Sequence, residues 1–339
     1  MKALVTGGGG FLGGAIVRQL KARGDSPVSY TRSRNAWLDE LGIEQRLGDL
    51  TDLEALKTAM AGCDLVIHVA AKAGVWGRYA DYVATNITGT ENVIAACRAV
   101  GIRKLVYTST PSIVHTGGDL EGVDESTPVA KHSDSYYPLT KAVAEKAVFA
   151  ANGPELATVA LRPHLIWGPG DPHLVPRLLA RARLGKLKRI GTRPTKVDVT
   201  YIDNAAEAHL LAADRIDIGS PIAGKAYFIS NGEPVVMWDF LNRILADAGV
   251  APVTKTVPVW LAKCVGWYLE TVYRIFRFAG EPAMTRFVAG QLSTSHWYDI
   301  SAARRDLGYT PRVSVEDGLK RLAASFAKPK SSADINPVR

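Results

Sequence analysis

"VTGGGGFLGG", residues 5–14, decides how this chain is read. Gly7, Gly10 and Gly13 stand at G-x-x-G-x-x-G spacing. They follow a short apolar run, "KALVT" (2–6), and precede the helical pattern Ile16, Val17, Leu20. Glycines at such a strand-to-helix turn let backbone approach a pyrophosphate, which then sits at the positive helix N-terminus, here opened by Phe11 and Leu12. In isolation the stretch is equally a tight turn. As the first turn of a repeating strand-helix series it points to a dinucleotide.

That series runs through the first half. After "KALVT", strand patterns recur at "PVSYT" (27–31), "IEQRLGDL" (43–50), "DLVIHVAA" (64–71), "RKLVYTST" (103–110) and "ATVALRP" (157–163). Helical patterns separate them, among them "ENVIAACRAVG" (91–101) and a helix from about 136 to 150. Short apolar strands alternating with helices predict a parallel sheet covered on both faces, an α/β Rossmann doubly wound fold with a smaller C-terminal substrate-binding lobe. The expected division is a nucleotide domain over 1–165, rejoined near 196–230 by "KVDVTYID" (196–203) and "KAYFIS" (225–230). The lobe takes 166–195 and 231–327, and 328–339 reads as a disordered tail.

Composition sets the broad class. The 339 residues are 47% hydrophobic and 22% charged, which excludes wholesale disorder. A net charge of +8 suits anionic ligands, yet the basic residues are dispersed and no nucleic acid is expected. Cys63, Cys97 and Cys264 are far apart, and read as three buried thiols in a reducing compartment. The run before "TGGGG" is too short for a signal peptide. "VPVWLAKCVGWYLETVYRIFRF" (257–278) is the most membrane-like stretch, but Lys263, Glu270, Arg274 and Arg277 interrupt it at helical spacing. Burying them in lipid would cost roughly 3 kcal/mol each, so an amphipathic helix is predicted, its face Leu261, Val265, Leu269, Val272 and Phe276 packed near a substrate pocket. Resting on a membrane surface is the lesser reading.

The second strand selects the dinucleotide. An NAD site ends that strand on Asp or Glu for the ribose hydroxyls. Here Thr31 is followed by Arg32, with Arg34 nearby, so no acid repels a 2′-phosphate and a guanidinium is at hand to pair with one. The cofactor read from this is NADP(H). Asp49 ends the third strand, placed to accept from the adenine amino group, with Leu50 beside it.

An ordered set of motifs now carries a resemblance across nearly the whole chain. To the glycine turn are added "DL" (49–50), "HVAA" (68–71), "NITGTEN" (86–92), "YTST" (107–110), "YPLTK" (137–141), "LRP" (161–163), "VTYIDNAAEAH" (199–209) and "LGYTP" (307–311). The chain resembles the extended short-chain dehydrogenase/reductases. The resemblance implies Ala70, Ala71, Lys72 and Pro163 at the cofactor, and Tyr137, Lys141 and Thr110 as the catalytic group. Tyr137 and Lys141 are four apart and share a helix face. A free phenol titrates near 10, and a neighbouring ammonium, helped by the positive nicotinamide of the oxidised cofactor, is expected to lower it. Tyr136 is a decoy, its i+4 residue being Thr140. Among the three hydroxyls at 108–110, the family places the donor third, with Thr108 and Ser109 in support.

Within that family, "YTSTPSIV" (107–114) and "HVAAKAGVWG" (68–77) resemble the 3β-hydroxysteroid dehydrogenase branch, with the sterol-4-carboxylate dehydrogenases. The second stretch is most similar to the bacterial 2-alkyl-3-oxoalkanoate reductases of olefin biosynthesis. The resemblance implies a reversible, metal-free NADPH-dependent reduction of a long-chain β-keto acid to the 2-alkyl-3-hydroxy acid. It also implies a cytoplasmic homodimer, with pathway enzymes as potential partners. A steroid or sterol-4-carboxylate substrate is the alternative, ahead of a nucleotide-sugar epimerase or a non-catalytic NADP-binding sensor. Trp76, His164 and Trp167 are the expected substrate-binding residues. Trp260, Trp267 and Tyr268 offer further apolar lining, and Lys72, Arg78 or His164 a carboxylate partner.

Overall fold

The computed structural model describes residues 1–327; the predicted tail at 328–339 lies outside the described residues. Seven parallel strands make one sheet: β1 (Lys2–Thr6), β2 (Ser26–Thr31), β3 (Glu44–Leu47), β4 (Leu65–His68), β5 (Lys104–Thr108), β6 (Ala157–Pro163) and β7 (Lys225–Ile229). Their spatial order is β7-β6-β5-β4-β1-β2-β3. Successive side chains of a strand point to opposite faces. Ala3, Val5, Ile67 and Val106 therefore enter one core, and Leu4, Val66 and Leu105 the other. Helices α1 (Phe11–Ala22) and α5 (Ile202–Arg215) cover the first face through Ile16, Leu20 and Ala205. The second is covered by α2 (Leu53–Met60), α3 (Gly89–Val100) and α4 (Tyr136–Ala150), through Leu56, Val93 and Val148. Each fully buried Val, Leu or Ile contributes roughly 2 kcal/mol, and burial on both faces explains why these strands read as apolar runs.

β1 lies between β2 and β4, so the sheet grows in opposite directions from that point and a crevice opens beyond the strand ends. The fold is a doubly wound Rossmann sheet. "KAYFIS" joins it as β7, with Lys225 opposite Val159. "KVDVTYID" does not. Lys196–Val197 belongs to a four-stranded sheet with Leu120–Val123, Val235–Val236 and His296–Tyr298, while Thr200–Tyr201 pairs with Ile166–Trp167. The free edge of β6 is already taken by β7, and Asp198 breaks the run by accepting from the Tyr298 N–H at 2.8 Å. The third strand is also shorter than expected, ending at Leu47 before a turn.

The amphipathic helix exists as α6 (Val259–Ile275), but it is seated the other way round. Its buried residues are Ala262, Gly266 and Glu270. A side chain at Gly266 would meet the Arg286 backbone at 2.7 Å. Glu270 accepts from the Arg286 N–H (2.7 Å) and from its guanidinium Nε (3.0 Å). Close approach and a buried ion pair outweigh the apolar stripe, which leaves Leu261, Val265 and Phe276 exposed together with Trp260, Trp267 and Tyr268. Among the described residues no helix is long and apolar enough to cross a membrane. Cys264 on this helix is exposed and Cys63 only partly covered, so of the three thiols Cys97 alone is buried.

Candidate active site

A cleft of about 910 Å³ runs from the glycine turn to the small sheet. At the turn, Gly7 has φ of +70°, receives Gly10 N–H on its carbonyl (2.9 Å) and donates its own N–H to the Tyr30 carbonyl (2.8 Å). A side chain at Gly13 would fall on the Gly7 carbonyl, and one at Gly8 would meet Ser29 Oγ at 2.6 Å. The turn is thus a cradle of bare backbone at the start of α1, which fits a pyrophosphate. Gly7, Gly10, Phe11, Leu12, Gly13, Thr31, Arg32, Asp49, Leu50, Ala70, Ala71, Lys72 and Pro163 all line the cleft. Arg34 is held by Asp39 in a two-pronged contact (2.8 and 2.7 Å). Arg32 makes no ion pair among the described residues and faces the cleft. Thr31 donates to the Ser33 carbonyl at 2.8 Å, shaping that turn. Asp49 accepts from Thr51 N–H (2.9 Å) and hydroxyl (2.7 Å), bonds that hold its carboxyl below the usual range.

The end of β5 separates the three hydroxyls by what each touches. His209 Nδ1 lies 2.7 Å from the Ala205 carbonyl, an atom that only accepts, so Nδ1 carries the hydrogen. Nε2 is then the acceptor for the Thr108 hydroxyl at 2.8 Å. Ser109 Oγ is buried without a partner among the described residues. Thr110 accepts from Ser112 N–H and donates to Ser112 Oγ, both at 3.2 Å, and lines the cleft beside Tyr137. Ser135 caps α4 by accepting from Tyr137 N–H, which places Tyr137 and Lys141 on the face turned toward β5. Lys141 Nζ donates to the Thr108 carbonyl at 2.6 Å and lies 4.1 Å from the Tyr107 ring centre.

Burial pushes the Tyr137 phenol up to about 12, with the nearby Thr110 hydroxyl pulling the other way. Lys141 does not offset that burial in the chain by itself. Desolvation dominates, and the ammonium is turned to the Thr108 carbonyl. Burial brings Lys141 down to about 7, opposed by Glu145. Glu145 itself is locked to Arg162 in a buried pair at 2.6 and 2.9 Å.

The substrate end departs further from expectation. Trp167 is fully buried, packed edge-on against Tyr201 and Phe240, and does not line the cleft. Trp76 does not line it either: its ring meets Tyr273 and lies under Arg274, against α6. Arg78 is exposed beside Asp81, away from the cleft, and Trp260, Trp267 and Tyr268 face solvent. Trp238, Phe240, Leu241 and Phe287 supply apolar lining instead. His164 does line the cleft, hydrogen-bonded to His296. Two further residues escaped sequence reasoning. Asn86, in a π-helical stretch (Val83–Thr88), accepts from Lys72 N–H (2.7 Å) and donates to Thr140, joining the cleft wall to α4. The quoted "NITGTEN" held that signal. His296 had none, lying 132 residues from its partner His164.

Comparison with known proteins bears on this geometry. A model of the 3-beta hydroxysteroid dehydrogenase/isomerase family matches residues 4–259. A 2-alkyl-3-oxoalkanoate reductase of Shewanella oneidensis is 55% identical, covering 96% of this chain and 86% of that protein. One of Stenotrophomonas maltophilia is 52% identical, over 96% and 100% respectively. The human sterol-4-alpha-carboxylate 3-dehydrogenase, decarboxylating, is 34% identical, over 96% and 88%. Among solved structures, gox2253 superposes with a TM-score of 0.75 at 27% identity, covering 96% of this chain and 97% of the other. UDP-glucuronic acid 4-epimerase from Bacillus cereus in complex with NAD gives 0.73 at 22%, over 96% and 98%, a likeness of fold.

Proposed function

The chain belongs to the 3-beta hydroxysteroid dehydrogenase/isomerase family, and from that premise we propose that it reduces 2-alkyl-3-oxoalkanoates to the 3-hydroxy acids with NADPH, in olefin biosynthesis. It is an oxidoreductase acting on alcohol or ketone groups of a small molecule, with a nicotinamide cofactor. The observation that carries the finer reading is one cleft holding a bare glycine cradle, the half-buried Tyr137 phenol with Thr110 and Lys141, and apolar lining from Trp238, Phe240, Leu241 and Phe287. Relatives so named at 55% and 52% identity support the substrate class.

The glycine cradle would hold the pyrophosphate of a nicotinamide dinucleotide, which would supply the hydride. The chain's own residues do the rest. A phenol held near 12 keeps its proton at neutral pH, so Tyr137 is loaded as the general acid for the alkoxide that forms at the ketone carbon. Thr110, whose hydroxyl rests on Ser112 Oγ at 3.2 Å, turns to donate to the same oxygen. Lys141 fixes the end of β5 through the Thr108 carbonyl and completes the polar floor. Arg32 is the partner for a 2′-phosphate. The exposed aromatic face of α6, flanked by Lys263, Arg274 and Arg277, supports peripheral contact with a lipid surface.

The test sets a 2-alkyl-3-hydroxy acid beside a 3β-hydroxysteroid as reductant of NADP⁺. Turnover is expected with the acid, and turnover with the steroid alone would replace the reading. Tyr137→Phe is expected to lower kcat roughly 10²–10⁴-fold while NADPH still binds; unchanged turnover would remove Tyr137 from the mechanism.

A further inference from the structure

His164 and His296 meet in the wall of the cleft, both buried and both lining it, with His164 Nε2 2.7 Å from His296 Nδ1. The other nitrogen of His296, Nε2, lies 2.9 Å from the Gln291 carbonyl. That carbonyl only accepts, so His296 Nε2 carries a hydrogen and its Nδ1, in the neutral ring, is an acceptor. His164 Nε2 must then donate to it. One backbone carbonyl therefore orients both rings, and it leaves His164 Nδ1 as a bare lone pair with no hydrogen bond among the described residues.

The surroundings hold the pair neutral. Burial first, then His296 and His115, keeps His164 well below the ordinary imidazole range. His296 is lowered by burial, against its Gln291 bond and the charge of Asp119. His115, facing His296 edge-on at 5.8 Å, is brought to about 4 by burial, with His296 and Lys263 adding to it. Asp119 is clamped by Arg193 at 2.6 and 2.7 Å, and Asp198 accepts from Tyr298 N–H. The Tyr298 ring lies edge-on to His164 at 5.4 Å. The anion for this site has to come from outside.

We propose that His164, backed by His296, is the anchor for the substrate carboxylate, taking one proton from solvent onto Nδ1 as the carboxylate enters. The proposal rests on the β-keto acid reading above. A lone pair facing a carboxylate repels it, whereas the protonated ring donates a charge-assisted hydrogen bond. His296 goes on accepting behind it. No substrate bond changes in this step, and the proton returns to solvent when the hydroxy acid leaves.

The anchor also restrains a competing reaction. Loss of CO2 from a β-keto carboxylate breaks the bond between the carboxylate carbon and its neighbour, and the electron pair ends on the ketone oxygen as an enolate. Tyr137 and Thr110 stabilise that same oxygen. Pairing with His164 holds negative charge on the carboxylate and opposes its departure.

Calorimetric titration of the full chain with the 2-alkyl-3-hydroxy acid, at pH 8 in two buffers of different ionisation heat, tests the proton directly. Uptake of about one proton per ligand is expected, and binding without uptake overturns the proposal. His164→Gln is expected to raise KM for the β-keto acid about tenfold or more, to leave KM for the corresponding carboxylate-free ketone unchanged, and to increase the share of decarboxylated product. Equal changes with both substrates overturn it as well. If the wild-type chain neither binds nor reduces the acid, the preceding reading of function fails instead.

Discussion

Lowering the pH from 7 to 5 loads protons onto the unfolded chain ahead of the folded one, because several imidazoles, His68 and His209 among them, are sealed inside as neutral bases. Burial pushes His68 down to about 3, with Lys141 adding to it, and His209 down to about 4 against its bond to Ala205. An unfolded histidine titrates near 6.5. Below that value the unfolded state binds more protons, so stability falls as pH falls, until each folded value is reached. At pH 5 each ring lies about 1.5 pH units below the unfolded titration, a loss of ~2 kcal/mol apiece. Asp198, raised to about 6 by burial, takes its proton first in the folded state and returns ~1 kcal/mol. From these three groups alone the net loss is ~3 kcal/mol, a large part of an ordinary stability of roughly 5–15 kcal/mol, and His115, His164 and His296, also held below the ordinary imidazole range, add to it. Carboxylates held low, such as Asp25 and Asp49, titrate below this window. Equilibrium urea unfolding at pH 7 and pH 5 measures the difference. His209→Gln, whose amide keeps one donor and one acceptor, should remove ~2 kcal/mol of the loss. Equal unfolding midpoints at both pH values would refute the reasoning, as would a variant that loses as much as the wild type. Since His209 receives the Thr108 hydroxyl, its protonation also loosens the strand end that holds Lys141.

Other expectations follow from the cleft and its supports. Arg32→Glu should cut the preference for NADPH over NADH roughly 10–100-fold, the worth of a hydrogen bond to a charged group; an unaltered ratio of kcat/KM values removes the 2′-phosphate assignment. Glu145→Gln strands the buried Arg162 and should destabilise the fold by ~3–5 kcal/mol in thermal unfolding. Gly13→Ala drives a methyl onto the Gly7 carbonyl, and fluorescence titration should show weakened cofactor binding even where the chain stays folded.

What the sequence displayed was local. β1 to β6 stood out because each apolar run is answered within a few dozen residues by a helix that covers it, and β7 kept the same signature. Thr110, Tyr137 and Lys141 were legible through motif order, and the structure sets them in one cleft. Interactions that skip along the chain were hidden. Residues 196–203 look like one strand, yet they divide into two two-residue strands whose separate pairings no periodicity announces. α6 shows an apolar stripe, but Gly266 and the Glu270–Arg286 pair seat the opposite face. Aromatic identity did not reveal that Trp167 belongs to the core while Trp238 and Phe287 border the cleft.

The four-stranded sheet draws its strands from Leu120–Val123, Lys196–Val197, Val235–Val236 and His296–Tyr298. Its pairings span most of the chain, so their loop-closure entropy is met late, after the nearer strand pairs around β1 have formed. During synthesis the nucleotide crevice can thus take shape while the far wall of the cleft still lacks His296. Truncation before residue 296 removes the partner of His164 along with the strand that joins Lys196–Val197 to Leu120–Val123. An assembly order is written into the topology: a place for the dinucleotide first, and a closed place for the substrate only once nearly all of the chain has been made.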